Sequence, residues 1–308
     1  MATFTFGNTP TTATVTGATA VTSGTGSDFI TVTGTVTRAT IDLGEGTDQL
    51  RFTGAATATV RNVETITGST LTDQITLASQ SPGGLVDLGT GLDILRLAAF
   101  DNTLTVAGVE TVVGNTGNDV VVLRDATTAV NVDLGAGDDT LTFRAATAAT
   151  VANVETIVGS AGVDTVVYSS QITGATVDLA AGFDRLTLAN HDNTVTVGNV
   201  ETVTGGTAAD TVTLQAQALG GTVDLGAGTD RLTLGAFVNT LTVARVETVV
   251  GGASSDVVTV SVQATGNVFD LGAGTDRLTL GGFVNTVTVS NVETLFGGVS
   301  ADVVTLGQ

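Results

Sequence analysis

The chain has 308 residues, including 40 Gly and ten Arg but no Lys and no Cys, and its formal net charge is -20. This charge argues against nucleic acid as a partner and favours cations. The lack of Cys excludes disulfides and thiolate metal sites, and it suits an extracellular or cell-surface protein. The apolar residues are mainly Val, Ala and Leu, so they predict a slim, β-rich core.

The first segment, residues 1–38, is predicted to be an N-terminal half repeat that acts as a cap or docking element. Phe4 and Phe6 align with Leu278 and Leu280 of the last repeat, but Pro10 has no counterpart there. The segment has neither a basic start nor an apolar run, so no conventional signal peptide is predicted. No stretch of the chain is long enough to span a membrane, and export is expected to use another route.

The second segment, residues 39–308, is predicted to be a continuous repeat array. The sequence DLGAGTDRLTL begins at Asp224 and recurs at Asp270, with variants at Asp42, Asp87, Asp133 and Asp178. A second marker, VET, recurs in step with it. Both markers have a period of about 46 residues, which gives about 6.5 repeats and indicates a solenoid.

Within each repeat, short runs such as RLTL and VVTV alternate apolar and polar residues between Gly-rich turns. This alternation is typical of short strands with one face in the core, and no helical period is present. Each repeat holds two similar modules of turn and strand. We therefore predict an all-β fold, a parallel β-solenoid of the β-helix or β-roll type, with two coils of about 23 residues in each repeat.

An aspartate ends each Gly-rich turn, and a stacked solenoid would align these residues in a column of like charge. Calcium takes six to eight oxygen ligands, and glycine turns allow backbone carbonyls to approach it. The alternative is that each aspartate only stabilises its turn by bonding nearby amides. The candidate metal ligands are Asp28, Asp48, Asp73, Asp93, Asp119, Asp139, Asp164, Asp184, Asp210, Asp230, Asp256, Asp276 and Asp302.

The same turns resemble the nonapeptide G-G-x-G-x-D-x-hydrophobic-x of the repeats-in-toxin (RTX) family of secreted bacterial proteins. The likeness is closest at Gly24–Asp28, Gly44–Asp48, Gly135–Asp139, Gly226–Asp230 and Gly272–Asp276. It implies a parallel β-roll, calcium bound by the turn aspartate and backbone carbonyls, and type I secretion. The chain departs from the family because its turns are not back to back and the second module often lacks the middle Gly, as at Gly252–Asp256.

Two further acidic series, the aspartates of the DLG segments and the glutamates of VET, are expected to face solvent and to serve structure. An enzyme is not predicted, because reactive residues outside the repeat pattern are few. His191, the only His, occupies the position of Phe100, Phe237 and Phe283, and Tyr168 occupies that of Leu214.

The predicted role is therefore structural. Open solenoid ends favour head-to-tail association of the chain with itself into a filament, an extracellular matrix or a surface layer. Two alternatives stay open: a monomeric adhesin or spacer segment, and a surface that binds ice or cell-surface polysaccharide. The ice hypothesis depends on recurring TxT pairs, at Thr103/Thr105, Thr194/Thr196, Thr240/Thr242 and Thr286/Thr288.

Overall fold

The computed structural model describes residues 2–307, so Met1 and Gln308, at the outer ends of the two predicted segments, lie outside it. These residues form 34 short strands. Contacts divide the chain into two compact units, residues 1–156 and 157–308, and Arg38 lies inside the first. Within residues 2–307 no helix has the length and apolar character to cross a membrane.

The first unit contains seventeen strands, and an eighteenth, β18 (Thr156–Val158), spans the boundary between the units. In chain order the seventeen are β1 (Ala2–Thr5), β2 (Thr12–Thr16), β3 (Ala18–Thr22), β4 (Phe29–Thr33), β5 (Val36–Asp42), β6 (Gln49–Phe52), β7 (Ala56–Arg61), β8 (Thr65–Thr67), β9 (Gln74–Leu77), β10 (Pro82–Asp87), β11 (Ile94–Arg96), β12 (Thr103–Ala107), β13 (Thr111–Thr116), β14 (Val120–Leu123), β15 (Thr127–Ala136), β16 (Thr140–Phe143) and β17 (Thr147–Ala152).

The second unit contains sixteen further strands with the same alternation of turn and strand. They are β19 (Thr165–Tyr168), β20 (Thr173–Asp178), β21 (Arg185–Thr187), β22 (Thr194–Gly198), β23 (Thr202–Thr204), β24 (Thr211–Leu214), β25 (Leu219–Asp224), β26 (Arg231–Thr233), β27 (Thr240–Ala244), β28 (Thr248–Val250), β29 (Val257–Val260), β30 (Thr265–Asp270), β31 (Arg277–Thr279), β32 (Thr286–Ser290), β33 (Thr294–Phe296) and β34 (Val303–Leu306).

In each unit every strand pairs in parallel with the strand two places away, so odd-numbered strands form one sheet and even-numbered strands the other. In the first unit, for example, β4 pairs with β6 and β5 with β7. In the second unit β24 pairs with β26 and β25 with β27. This pattern confirms the predicted parallel β-solenoid.

Each 46-residue repeat supplies five strands, that is, two complete coils and one further strand. Stacked residues are therefore closer in sequence than the 23 positions expected from halving the repeat. Arg51 pairs with Thr67, 16 positions later, and Leu219 pairs with Thr240, 21 positions later. Because five is odd, equivalent strands of successive repeats fall in opposite sheets: β5, β10 and β15 alternate between the two sheets of the first unit.

The core lies between the two sheets and consists of the inward-facing apolar residues predicted from the strand pattern. In β26, Leu232 is fully buried whereas its neighbour Arg231 is exposed. The turns stack so closely that only glycine fits at some positions. At Gly226, which has a φ of 90°, a Cβ atom would lie 2.0 Å from the carbonyl oxygen of Gly206 in the coil before it.

Candidate functional site

The turn aspartates lie at the edges of the sheets, each immediately before a strand. Twelve of the thirteen are at most 2% exposed, and Asp302 is half-buried. They do not form the single column that was expected. In the first unit Asp28 and Asp48 precede strands of the even-numbered sheet, whereas Asp73 and Asp93 precede strands of the odd-numbered sheet. The odd number of strands in each repeat splits them into two ladders.

The aspartate at the end of each GAGTD-type turn is called here a first-turn aspartate. Its Oδ1 atom accepts the backbone amide of the aspartate 20 positions earlier, as in the 2.7 Å bond from Asp210 N to Asp230 Oδ1. Its own amide donates to the Oε2 atom of the next VET glutamate, as in the 2.8 Å bond from Asp230 to Glu247. The six first-turn aspartates are Asp48, Asp93, Asp139, Asp184, Asp230 and Asp276.

The other seven, the second-turn aspartates, follow the VET strand: Asp28, Asp73, Asp119, Asp164, Asp210, Asp256 and Asp302. Their Oδ1 atoms also accept amides from the coil before, as in the 2.6 Å bond from Ala56 N to Asp73 Oδ1. Several have a second donor from their own turn. Ser69 gives its amide to Asp73 Oδ2 at 2.7 Å, and Gly206 gives its amide to Asp210 Oδ2 at 3.2 Å.

First-turn aspartates lack this second donor. Among residues 2–307, the Oδ2 atom of every first-turn aspartate is buried and makes no hydrogen bond, and the same is true of two second-turn aspartates, Asp119 and Asp256. A buried, unpaired carboxylate oxygen is costly unless it gains a proton or a cation. The structure therefore repeats one unsatisfied oxygen six times at the same position.

Burial sets the protonation of these carboxyl groups. It raises the pKa of four first-turn aspartates to about 6, and the negative charges of the stacked aspartate and glutamate add to the effect; the four are Asp93, Asp139, Asp184 and Asp230. Burial also raises the pKa of Asp48 and Asp276. At half-buried Asp302, in contrast, hydrogen bonds from Asn285 lower the pKa.

The two other acidic series are mostly half-buried rather than fully exposed to solvent, and they have specific hydrogen-bond partners. The VET glutamates accept the amides of the first-turn aspartates. The DLG aspartates accept side-chain donors from the next coil: Asn199 Nδ2 lies 2.7 Å from Asp178 Oδ1, and Arg245 Nε lies 2.7 Å from Asp224 Oδ1. These contacts fix the corner at which the chain turns toward the VET strand.

Asparagines that precede the TxT strands are functional members of the ladders that the sequence did not reveal. Asn239 Nδ2 donates to Asp256 Oδ1 at 2.9 Å and to the carbonyl of Phe237 at 2.8 Å, so it links two coils and closes its loop. Equivalent residues are Asn102, Asn193 and Asn285. The recurring N-T-x-T pattern is the feature of the sequence that marks these asparagines.

The structure also locates the two unusual side chains. Asn193 Nδ2 donates to the carbonyl of His191, as Asn239 does to that of Phe237, which confirms that His191 occupies this repeat position. His191 is exposed. Tyr168 is 2% exposed and lies in the core at the end of β19.

A cation at these ladders would find carboxylate and backbone carbonyl oxygens as ligands rather than several acidic side chains around one point. In residues 2–307 no three His, Cys, Asp or Glu side chains converge on one point. A calcium ion at a first-turn aspartate would therefore bind Oδ2 and would take its other ligands from backbone carbonyls of the glycine turns. No family model matches the chain, and no match is found among curated proteins.

Proposed function

We propose that this chain is a structural β-solenoid of an extracellular matrix, fibre or surface layer, stabilised by calcium at its first-turn aspartates. The observation that carries the proposal is the pair of ladders in each unit. Carboxylate and amide side chains at the corners are engaged in bonding one coil to the next, as at Asp210, Asp230 and Glu247. Such repeated coil-to-coil bonds suit a stiff scaffold.

Calcium is proposed because the unpaired Oδ2 atoms need a positive partner. A hard cation with oxygen ligands matches a buried carboxylate beside stacked glycine carbonyls better than a soft metal would. The formal net charge of -20 also disfavours the compact chain through self-repulsion, and bound cations would reduce it. The resemblance to RTX repeats points to the same ion.

Self-association is proposed through the strands β33 and β34. Leu306 is in register with Val289 of the preceding coil but is 80% exposed, whereas Val289 is 4% exposed. Val304 is likewise in register with buried Val287. A further coil would cover these side chains and pair with both strands, and we propose that a second copy supplies it.

Negative-stain microscopy and sedimentation of the chelated chain, before and after calcium addition, test this proposal. Calcium is expected to increase the β-sheet signal in circular dichroism and then to produce filaments. Leu306→Asp should block filament growth because it places a charge on the covered face. Val303→Asp is the matched control, since Val303 is in the same strand, is also exposed and points to the opposite face.

The outcomes separate the parts of the proposal. A calcium-dependent β structure that stays monomeric at all concentrations would contradict the assembly and indicate a spacer. Equal loss of filaments in both variants would contradict growth through the covered face. No response of structure or stability to calcium would reject the metal, and the aspartates would then only stabilise turns.

A further inference from the structure

One corner of the first unit departs from the repeat pattern and encloses a cavity. The segments 107–110 and 123–130, with Asp87 from the coil before, surround a volume of about 400 Å³, called here the 107–130 cavity. The equivalent corner of the second unit, between residues 197–201 and 214–221, encloses about 20 Å³. The two corners have the same strand order, so the difference arises from their side chains.

A glutamine closes the corner in four of the other five repeats, and Thr35 stands at this position in the fifth. This glutamine lies seven positions before the DLG aspartate, and its Nε2 atom donates to a backbone carbonyl of the next coil at 2.7–2.8 Å. The four residues are Gln80, Gln171, Gln217 and Gln263. Ala126 occupies this position in the 107–130 cavity. Gly108 occupies the position that Asn199 fills at the closed corner. Two side chains that fill the space elsewhere are therefore missing here.

The cavity has an apolar floor and a charged rim. Val106, Leu123 and Val130 form the floor and are each at most 4% exposed. The rim is formed by one guanidinium and three carboxylates: Asp87, Glu110, Arg124 and Asp125. Arg124 Nη2 lies 2.8 Å from Asp87 Oδ2 and 2.9 Å from Asp125 Oδ2. The rim therefore has two negative charges in excess.

We propose that the 107–130 cavity binds a small organic cation, namely a protonated amine on a short aliphatic chain. The rim provides carboxylate oxygens for the ammonium group, and the floor provides apolar contact for the methylene groups. An anion would be repelled by the excess negative charge. A bare metal ion would use neither the volume nor the apolar floor. This site is separate from the first-turn aspartates and does not depend on their binding calcium.

Calorimetric titration of the full chain with 1,4-diaminobutane tests the proposal, with uncharged 1,4-butanediol as the ligand control. One saturable site is expected for the diamine and none for the diol. The variant Arg124→Ser/Asp125→Ser/Ala126→Gln gives this loop the Ser-Ser-Gln sequence of residues 169–171 and should close the cavity. It removes one charge of each sign, so the formal net charge is unchanged. Its affinity for the diamine should fall about tenfold or more.

Asp178→Asn is the matched control, because Asp178 is the counterpart of Asp87 at the closed corner, which keeps Gln217 where the cavity has Ala126. This variant should bind the diamine as the parent chain does. If the triple variant does not fold, as judged by circular dichroism, Asp125→Asn replaces it, because this side chain is 56% exposed and its change leaves the core intact. No saturable binding by the parent chain, equal affinity in the cavity variant, or displacement of the diamine by stoichiometric calcium would overturn the proposal.

Discussion

The first-turn and second-turn aspartates occupy the same place in the ladders, yet their Oδ2 atoms differ: none of the six first-turn aspartates and five of the seven second-turn aspartates have a hydrogen-bond donor there. Both accept an amide from the preceding coil through Oδ1. At second-turn Asp73 the amide of Ser69, four positions earlier, also reaches Oδ2. At first-turn Asp184 the residue four positions earlier is Ala180, and its amide donates to Asp178 instead.

Backbone conformation explains this difference. Ala180 has a φ of 68°, and the glycines at the same position of the other first turns have φ values of 83–94°. This left-handed conformation turns the amide toward the DLG aspartate and away from the turn. The first residue of the GAGTD motif therefore removes a donor from a buried carboxylate, which leaves room for a proton or a cation.

The largest expected effect is on the pH dependence of stability in chelator. Four first-turn aspartates have a folded-state pKa of about 6, above the unfolded value near 4. The folded chain therefore binds more protons between pH 4 and 6, and its unfolding free energy should fall as the pH rises through this window, by about 1 kcal/mol for each of the four. Urea unfolding from pH 4.5 to 7.5 measures this; a rise in stability over the same range would contradict the account.

Truncation of one first-turn aspartate should have the next largest effect. Asp230→Ala leaves the amide of Asp210 buried without its acceptor and opens a cavity, so the unfolding free energy should drop by about 3 kcal/mol. Asp302→Ala, at the half-buried member of the series, should cost clearly less, because water can reach the amide of Asn285. Equal losses of unfolding free energy at the two positions would show that burial does not determine how much each aspartate contributes to stability.

Replacement of aspartate by asparagine should change stability in opposite directions at first-turn and second-turn positions. Asp230→Asn keeps the Oδ1 acceptor and removes an unpaired buried charge, so at pH 8 in chelator it should stabilise the chain by about 1 kcal/mol. Asp210→Asn should destabilise it by a similar amount, because its amide group would face the N–H of Gly206. Thermal unfolding of both variants measures the two changes in stability. Changes of the same sign would contradict the difference in hydrogen bonding between the two positions.

The smallest expected effect concerns the turn itself. Ala180→Gly should raise the unfolding free energy by about 1 kcal/mol, because a left-handed alanine is strained and glycine is not. Ala161→Gly, in the neighbouring second turn, is a control without positive φ and should not stabilise. A destabilising Ala180→Gly would show that this first turn does not need the left-handed conformation.

The sequence predicts the fold well because the strand pattern and the 46-residue period are local properties. Leu232 and Leu234 are buried as the alternation in RLTL predicts. It does not predict that the aspartates divide into two ladders, because this depends on the number of strands in a repeat, and the short VET strand (Thr248–Val250) is easily merged with its neighbours. Nor does it predict the bond from Asp230 to Glu247, since these residues meet only when coils stack.

The most direct test is the number of calcium ions bound after chelation, measured by calorimetric titration of the parent chain and two double variants. Asp230→Asn/Asp276→Asn should bind fewer calcium ions than the parent chain. Asp210→Asn/Asp302→Asn, in which each replaced aspartate accepts a backbone amide at Oδ2, should bind as many as the parent chain. A parent chain that binds no calcium, or equal stoichiometry in all three, would contradict the assignment of the first-turn aspartates as the cation ligands.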